Sequence, residues 1–169
     1  MAETEEATTK EMPKTSLLGD VEVEVEIKSP AVKFYQVYAG RPNHVAKATS
    51  TKVQACDLLE GDWGTVGSIV NWNYVYAGKA KVAKERIELV EPEKNLIKFR
   101  VIEGDVLALY KSFLITIQAT TAKEGGVGSV VKWHLEYERN DENVPHPENY
   151  LPFLAEMTKE IDEHLLSEE

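Results

Sequence analysis

The chain predicts an α+β domain in which seven antiparallel strands form a curved sheet around one long C-terminal helix. Three observations carry this. Pro147 to Leu166, PENYLPFLAEMTKEIDEHLL, has sustained helical periodicity: Tyr150, Leu154, Met157, Ile161 and Leu165 recur at steps of three and four and share one face. Near the start, Val21, Val23, Val25 and Ile27 alternate with Glu22, Glu24, Glu26 and Lys28, the period of a strand with one buried face. Between them lie six strand-like runs parted by turn residues. One amphipathic helix cannot bury its stripe alone, so the strands must supply the layer that receives it.

Length and charge narrow the classes. The 169 residues suit one domain, expected from residue 16 to 169, with enough chain to bury a sizeable core. Residues 1–15 are rich in Glu, Thr and Lys and are expected to form a disordered acidic tail, having too little apolar surface to offset the entropy of ordering. Nineteen basic side chains against 29 acidic ones leave a formal net charge of -10, which repels phosphate backbones and anionic membranes, so no nucleic-acid partner is expected. Cys56 is the sole cysteine; an internal disulfide is excluded and a reducing compartment suits it. MAETEEATTKEM lacks the basic start and apolar run of a signal peptide, and no apolar run approaches the roughly 20 residues of a membrane span. The expected location is the cytoplasm, without integral membrane association.

After the first strand, Ser29 as cap and Pro30 at the first helical position open a short helix in which Ala31, Phe34, Val37 and Tyr38 share a face. Gly40, Arg41 and Pro42 end it. A second short helix is predicted from Asn43 to about Thr49. Strands are then predicted at about 52–60, 67–76, 80–91, 95–103, 107–121 and 128–138, with short separators that favour an antiparallel meander. A sheet of that size curls and encloses an interior. In the final stretch Pro152 would break a helix that began at Pro147. If Asn149 caps the helix, Pro152 takes its third position, where the amide has no intrahelical partner. The regular helix is therefore expected to begin, or to kink, near Tyr150, with residues 141–149 a mobile flap beside the interior.

Alternation aims Val70, Trp72 and Tyr74; Ile87 and Leu89; Ile97, Phe99 and Val101; Phe113, Ile115 and Ile117; and Val131, Trp133, Leu135 and Tyr137 inward. The set is rich in Trp and Tyr, which pair a greasy body with a polar handle, as the lining of a small-molecule pocket does. An ordinary filled core satisfies the same pattern.

Several strings, LLEGDWGTVGSIVNWNY, LIKFRVIEGD, YKSFLITIQ, GSVVKWHLEYE and IDEHLL, resemble in order the major latex protein family of plants, a branch of the Bet v I-type superfamily related to the pathogenesis-related class 10 proteins. The resemblance runs from about Thr15 to the end. It implies the helix-grip fold, with two short helices after the first strand and a hydrophobic cavity between sheet and long helix. It further implies a cytosolic carrier of hydrophobic small molecules (sterols, flavonoids, fatty acids or hormone-like compounds) linked to defence and stress responses. The lining expected on this basis is Phe34, Val70, Trp72, Tyr74, Ile87, Phe99, Val101, Lys111, Phe113, Trp133 and Leu135, with Tyr150, Leu154, Met157 and Ile161 from the last helix. No catalytic residue, metal site or cofactor is expected, and the partner is the ligand of a monomer. Burying about 400 Å² of ligand at about 25 cal/mol/Å², less about 4 kcal/mol for lost freedom, implies micromolar affinity at best.

Other motifs compete with that reading. Gly61, Gly64 and Gly67 form a glycine-rich loop without the lysine and following helix that a phosphate-binding loop requires; a tight interstrand turn explains it, and a ligand contact is the alternative. Relatives proposed as ribonucleases carry a lysine after this loop, where this chain has Ser68-Ile69-Val70-Asn71. The gate and latch strings of the superfamily's hormone receptors are also missing. Lys111 is in register with Phe113 and points inward if its strand is regular. There, desolvated and joined by Glu85, it would act as a base or grip a ligand, which is the enzyme alternative. A bulge or a snorkelling stem would instead place it outside. A protein-interaction module is the third reading. His44, His134, His146 and His164 have no zinc-site spacing, and Cys56 reads as a small buried hydrophobe.

Overall fold

The structure, a computed structural model, describes residues 17–122 and 128–168. The expected tail and most of the Gly125–Gly128 separator lie outside the described residues. Among these residues the chain forms β1 (Leu18–Ile27), α1 (Ala31–Ala39), a 3₁₀ turn at Pro42–His44, α2 (Val45–Ala48), β2 (Val53–Glu60), β3 (Ile69–Tyr76), β4 (Lys79–Glu91), β5 (Leu96–Gly104), β6 (Tyr110–Thr121), β7 (Ser129–Arg139) and α3 (Tyr150–Ser167). The strands make one antiparallel sheet in the order β1-β7-β6-β5-β4-β3-β2. Strands β2 to β7 are a meander, as short connections dictate. Strand β1 joins the far edge, pairing Val21 with Leu135 and Val25 with Val131. The helical corner α1–α2 therefore carries the chain from one edge strand to the other. Its core face is Ala31, Phe34, Val37 and Tyr38, all buried.

Three local expectations are corrected. Ser29 does not cap α1: Pro30 holds the cap position, while the Ser29 hydroxyl is drawn to Asp162 of α3 at 2.6 Å. Residues 105–108 form a 3₁₀ turn before β6 rather than its first residues. In β4 the register slips between Ile87 and Leu89, so Leu89 pairs with Lys98 and Val90 packs against the core in its place. A bulge of this kind reverses every side chain beyond it, which alternation alone does not reveal.

Helix α3 begins at Tyr150 after a 3₁₀ turn at Pro147–Asn149, so Pro152 stands third, where a missing N–H removes no intrahelical bond. The preceding segment is not free. Tyr110 donates to the Pro145 carbonyl at 2.6 Å, Arg139 to the Val144 carbonyl at 3.0 Å, and the Tyr137 hydroxyl meets His146 Nδ1. Val144 and Pro147 are buried. These bonds tie the segment to the ends of β6 and β7 and replace the expected flap.

The C-terminal half of α3 is fastened by polar contacts. Asp162 accepts the backbone N–H groups of Lys28 and Ser29, both at 2.9 Å, and the Ser29 hydroxyl; the Ser29 carbonyl in turn accepts from Ser129 of β7. Glu160 meets Thr49 and Lys52 of the corner. Trp133 donates its indole N–H to Thr158 at 2.8 Å. Removing the Asp162 carboxylate leaves buried donors unmade, which costs most of their desolvation energy. Asp162→Ala is expected to lower unfolding stability by about 3 kcal/mol, read in urea titrations; a loss below about 0.5 kcal/mol would show the tie to be dispensable.

Candidate ligand-binding site

Beyond Thr158 towards its start, α3 presents Met157, Leu154, Phe153 and Tyr150 to the sheet. The sheet curls away from them, leaving a cavity of about 120 Å³. That is close to the roughly 150 Å³ at which an apolar hole admits a benzene-sized guest. The floor is aromatic. Tyr38 of α1 lies between Trp72 and Trp133, with ring centroids 6.0 and 5.5 Å away, and Phe99 stands edge-on to Trp72 at 6.4 Å. Such tilted and edge-to-face contacts suit the ring quadrupoles and hold the wall rigid. Tyr74, Tyr76, Tyr150 and Phe153 are half-buried and close one side: Tyr76 stacks on Tyr150 at 4.3 Å and meets Phe153 edge-on at 5.4 Å.

Ten expected lining residues surround the cavity: Trp72, Tyr74, Phe99, Val101, Phe113, Trp133, Leu135, Tyr150, Leu154 and Met157. Phe34, Val70, Ile87 and Ile161 are fully or nearly fully buried but pack in the solid core outside the lining. The strand period of Val70 and Ile87 and the helix period of Phe34 and Ile161 do turn them inward; the sheet closes against helix and corner at their level, so no space is left there.

Lys111 is a correction. The β6–β7 register shifts between Tyr110 and Ser112, Tyr110 takes the inward position, and the Lys111 side chain is 57% exposed beside Glu138 at 3.7 Å. It does not meet Glu85, so the expected base and its acidic partner are not assembled. The glycine loop also stays outside the lining. Gly61 and Gly64 have φ of 83° and 76°, and a Cβ on Gly64 would lie 2.3 Å from the Ala39 carbonyl; backbone sterics account for the motif.

Tyr38, Val53, Ala83, Glu85, Val106 and Phe153 also line the cavity. Glu85, read only as a partner for Lys111, is 6% exposed. Burial pushes its carboxyl up to about 8, opposed in part by the nearby Trp72 indole N–H, which nonetheless lacks hydrogen-bonding geometry to any acceptor. Among the described residues Glu85 has no ion pair. Burial likewise raises Tyr38, Cys56 and Tyr74, each further raised by the nearness of Glu85. Cys56 is thus an unreactive buried thiol. No group of His, Cys, Asp and Glu among the described residues has metal-binding geometry.

A seven-stranded sheet gripping a helix over an apolar cavity defines a hydrophobic ligand-binding fold. The chain belongs to the pathogenesis-related protein Bet v 1 family, whose sequence pattern matches residues 16–168, and within it to the plant major latex protein-like members. It is 66% identical over 155 residues to MLP-like protein 31 of Arabidopsis thaliana, covering 92% of this chain and 90% of that protein. It is equally identical over 154 residues to MLP-like protein 34 of the same plant, covering 91% of this chain but spanning about half (48%) of that relative's length. The crystal structure of major latex-like protein 151 from Panax ginseng superposes with a TM-score of 0.84 at 36% identity, covering 88% of this chain and 97% of that one.

The raised Glu85 carboxyl makes stability depend on pH. Between the ordinary value of 4.5 and about 8 the native state keeps a proton that the unfolded chain has released, so stability falls as pH rises through this window and is complete below it. At about 1.4 kcal/mol per unit the loss is about 3–5 kcal/mol. Glu85→Gln removes that titration, so urea unfolding at pH 5 and pH 8 should show a smaller decline in the variant; parallel declines would assign the pH dependence elsewhere.

Proposed function

We propose that this protein is a cytoplasmic carrier or scavenger of small hydrophobic molecules in plant defence and stress responses. The aromatic cavity beneath the N-terminal half of α3 is the single observation that carries this reading. Its volume sets the ligand class. A single ring with a short substituent fits the space as it stands, whereas a sterol or a flavonoid requires Tyr150 and Phe153 to swing away from Tyr74 and Tyr76. Those four rings are held by packing, with centroid spacings of 4.3 to 6.4 Å, and by a side-chain hydrogen bond between Tyr74 and Tyr150; packing contacts are individually weak, so the hydrogen bond is the main contact such a movement would break. Affinity from apolar burial without further polar recognition is micromolar at best. The acidic net charge and buried lone cysteine support the reducing cytoplasm as its place of action, and the exposed Lys111 removes the main support for an enzyme.

Ala83 lines the cavity, and Ala83→Phe would place a ring inside it. Calorimetry against a panel of sterols, flavonoids, fatty acids and single-ring compounds should show micromolar binding to the native protein and a loss of about tenfold or more in the variant. The variant should keep its fold, at a cost of about 1–3 kcal/mol for overpacking. Undiminished binding by Ala83→Phe would place the ligand elsewhere. Lys111→Ala serves as the opposite control: it should change affinity by less than about twofold and stability by less than about 0.5 kcal/mol, and a larger loss of binding would restore Lys111 to the site.

A further inference from the structure

Buried polar groups are nearly always hydrogen-bonded, because an unmade bond in an apolar interior forfeits the group's hydration. The cavity wall departs from this at two adjoining positions. Glu85 lines the cavity, is more than nine-tenths buried, has no ion pair among the described residues, and has as its near polar neighbour the Trp72 indole N–H, which stands outside hydrogen-bonding geometry. Trp72 lines the same wall, and its Nε1–H has no acceptor. The β3–β4 register pairs Trp72 with Ala83 and Val70 with Glu85, so the two are diagonal neighbours on the inward face. The contrast with Trp133 is informative: that indole, also on the cavity wall, is satisfied by Thr158 at 2.8 Å. The core can pair an indole N–H, and here it does not.

We propose that Glu85 and Trp72 together form a ligand-recognition site, both donating to one hydroxyl or carbonyl oxygen of a small uncharged ring compound, and that this site rejects carboxylates. An oxygen has two lone pairs and can accept from both groups, which completes the wall as no apolar guest can. The carboxyl is available as a donor because burial keeps it protonated to about pH 8. The titratable groups facing it are Tyr38 from α1, Cys56 from β2 and Tyr74 from β3, all driven upward by burial and so neutral. Across the ladder β5 contributes Val101, and α3 contributes Leu154 and Met157. A carboxylate ligand would therefore meet a second acid and no cation. A cationic amine would need Glu85 to ionise and would leave its own hydration behind, a poor exchange in an apolar hole.

This inference rests on the ligand-binding reading above, and a matched series separates the two. Toluene, acetophenone, benzoate and benzylamine share one ring, and none but the ketone offers an uncharged oxygen, one that accepts without donating. Titrated calorimetrically against the full chain at pH 6, acetophenone should bind about tenfold tighter than toluene and than benzoate. Its preference over toluene should fall about tenfold by pH 9.5, as Glu85 loses the proton it donates. Glu85→Gln, which keeps a neutral donor, should retain the preference at both pH values, and Glu85→Leu should make ketone and toluene equal. If Glu85→Leu does not fold, the pH arm of Glu85→Gln decides. Equal binding of toluene and ketone by the native protein would overturn the recognition site and leave the cavity reading intact. Benzoate or benzylamine binding as tightly as the ketone at pH 6 would also overturn it. Failure of all four to bind would overturn both.

Discussion

The contact on which the rest of the structure depends is the grip of Asp162 on the corner between β1 and α1. Its two carboxylate oxygens take the N–H groups of Lys28 and Ser29 and the Ser29 hydroxyl, where the chain leaves the sheet and has no strand partner. The same carboxylate thus satisfies a buried turn and fixes the axial position of α3 over the sheet. Because Ser29 also receives the Ser129 hydroxyl, the helix, the first strand and the last strand are located by one connected set of bonds. Directional bonds of this kind set position in a way that non-directional apolar packing does not.

The division of α3 into two halves follows from this. From Thr158 onward the helix is held by polar contacts to the corner and to Trp133; before it, apolar and aromatic side chains face a space that the sheet does not fill. The C-terminal half provides a fixed end, and the N-terminal half a wall of the cavity. Within the space, one physical effect acts on every ionisable group: burial favours the neutral form, raising Glu85, Tyr38, Cys56 and Tyr74 together. A protein with a net charge of -10 thereby surrounds an interior with almost no charge.

Much of the architecture was legible because strand and helix periods are local. The run from Val21 to Ile27, the stripe from Tyr150 to Leu165 and the break before Tyr150 follow from the chain alone. Ten cavity residues were readable as inward-facing for the same reason. Lys111 and Leu89 were misread because one extra residue in a strand, at Tyr110–Ser112 and at Ile87–Leu89, reverses the faces that alternation assigns. Phe34, Val70, Ile87 and Ile161 show a different limit. Inward direction is a property of a strand or helix, whereas lining a cavity depends on how far the opposite wall lies.

By itself the sequence determined the element types, the antiparallel meander, the buried faces and the family, since each rests on periodicity, turn chemistry or strings that survive without knowledge of distant contacts. Only the tertiary structure decided that Ser29 answers Asp162 from 133 positions away, that Lys111 lies outside, and that Glu85 and Trp72 share the cavity wall. Those outcomes depend on register shifts and on the closure of the sheet against α3. Both are fixed by contacts between residues far apart in the chain, which no local pattern encodes.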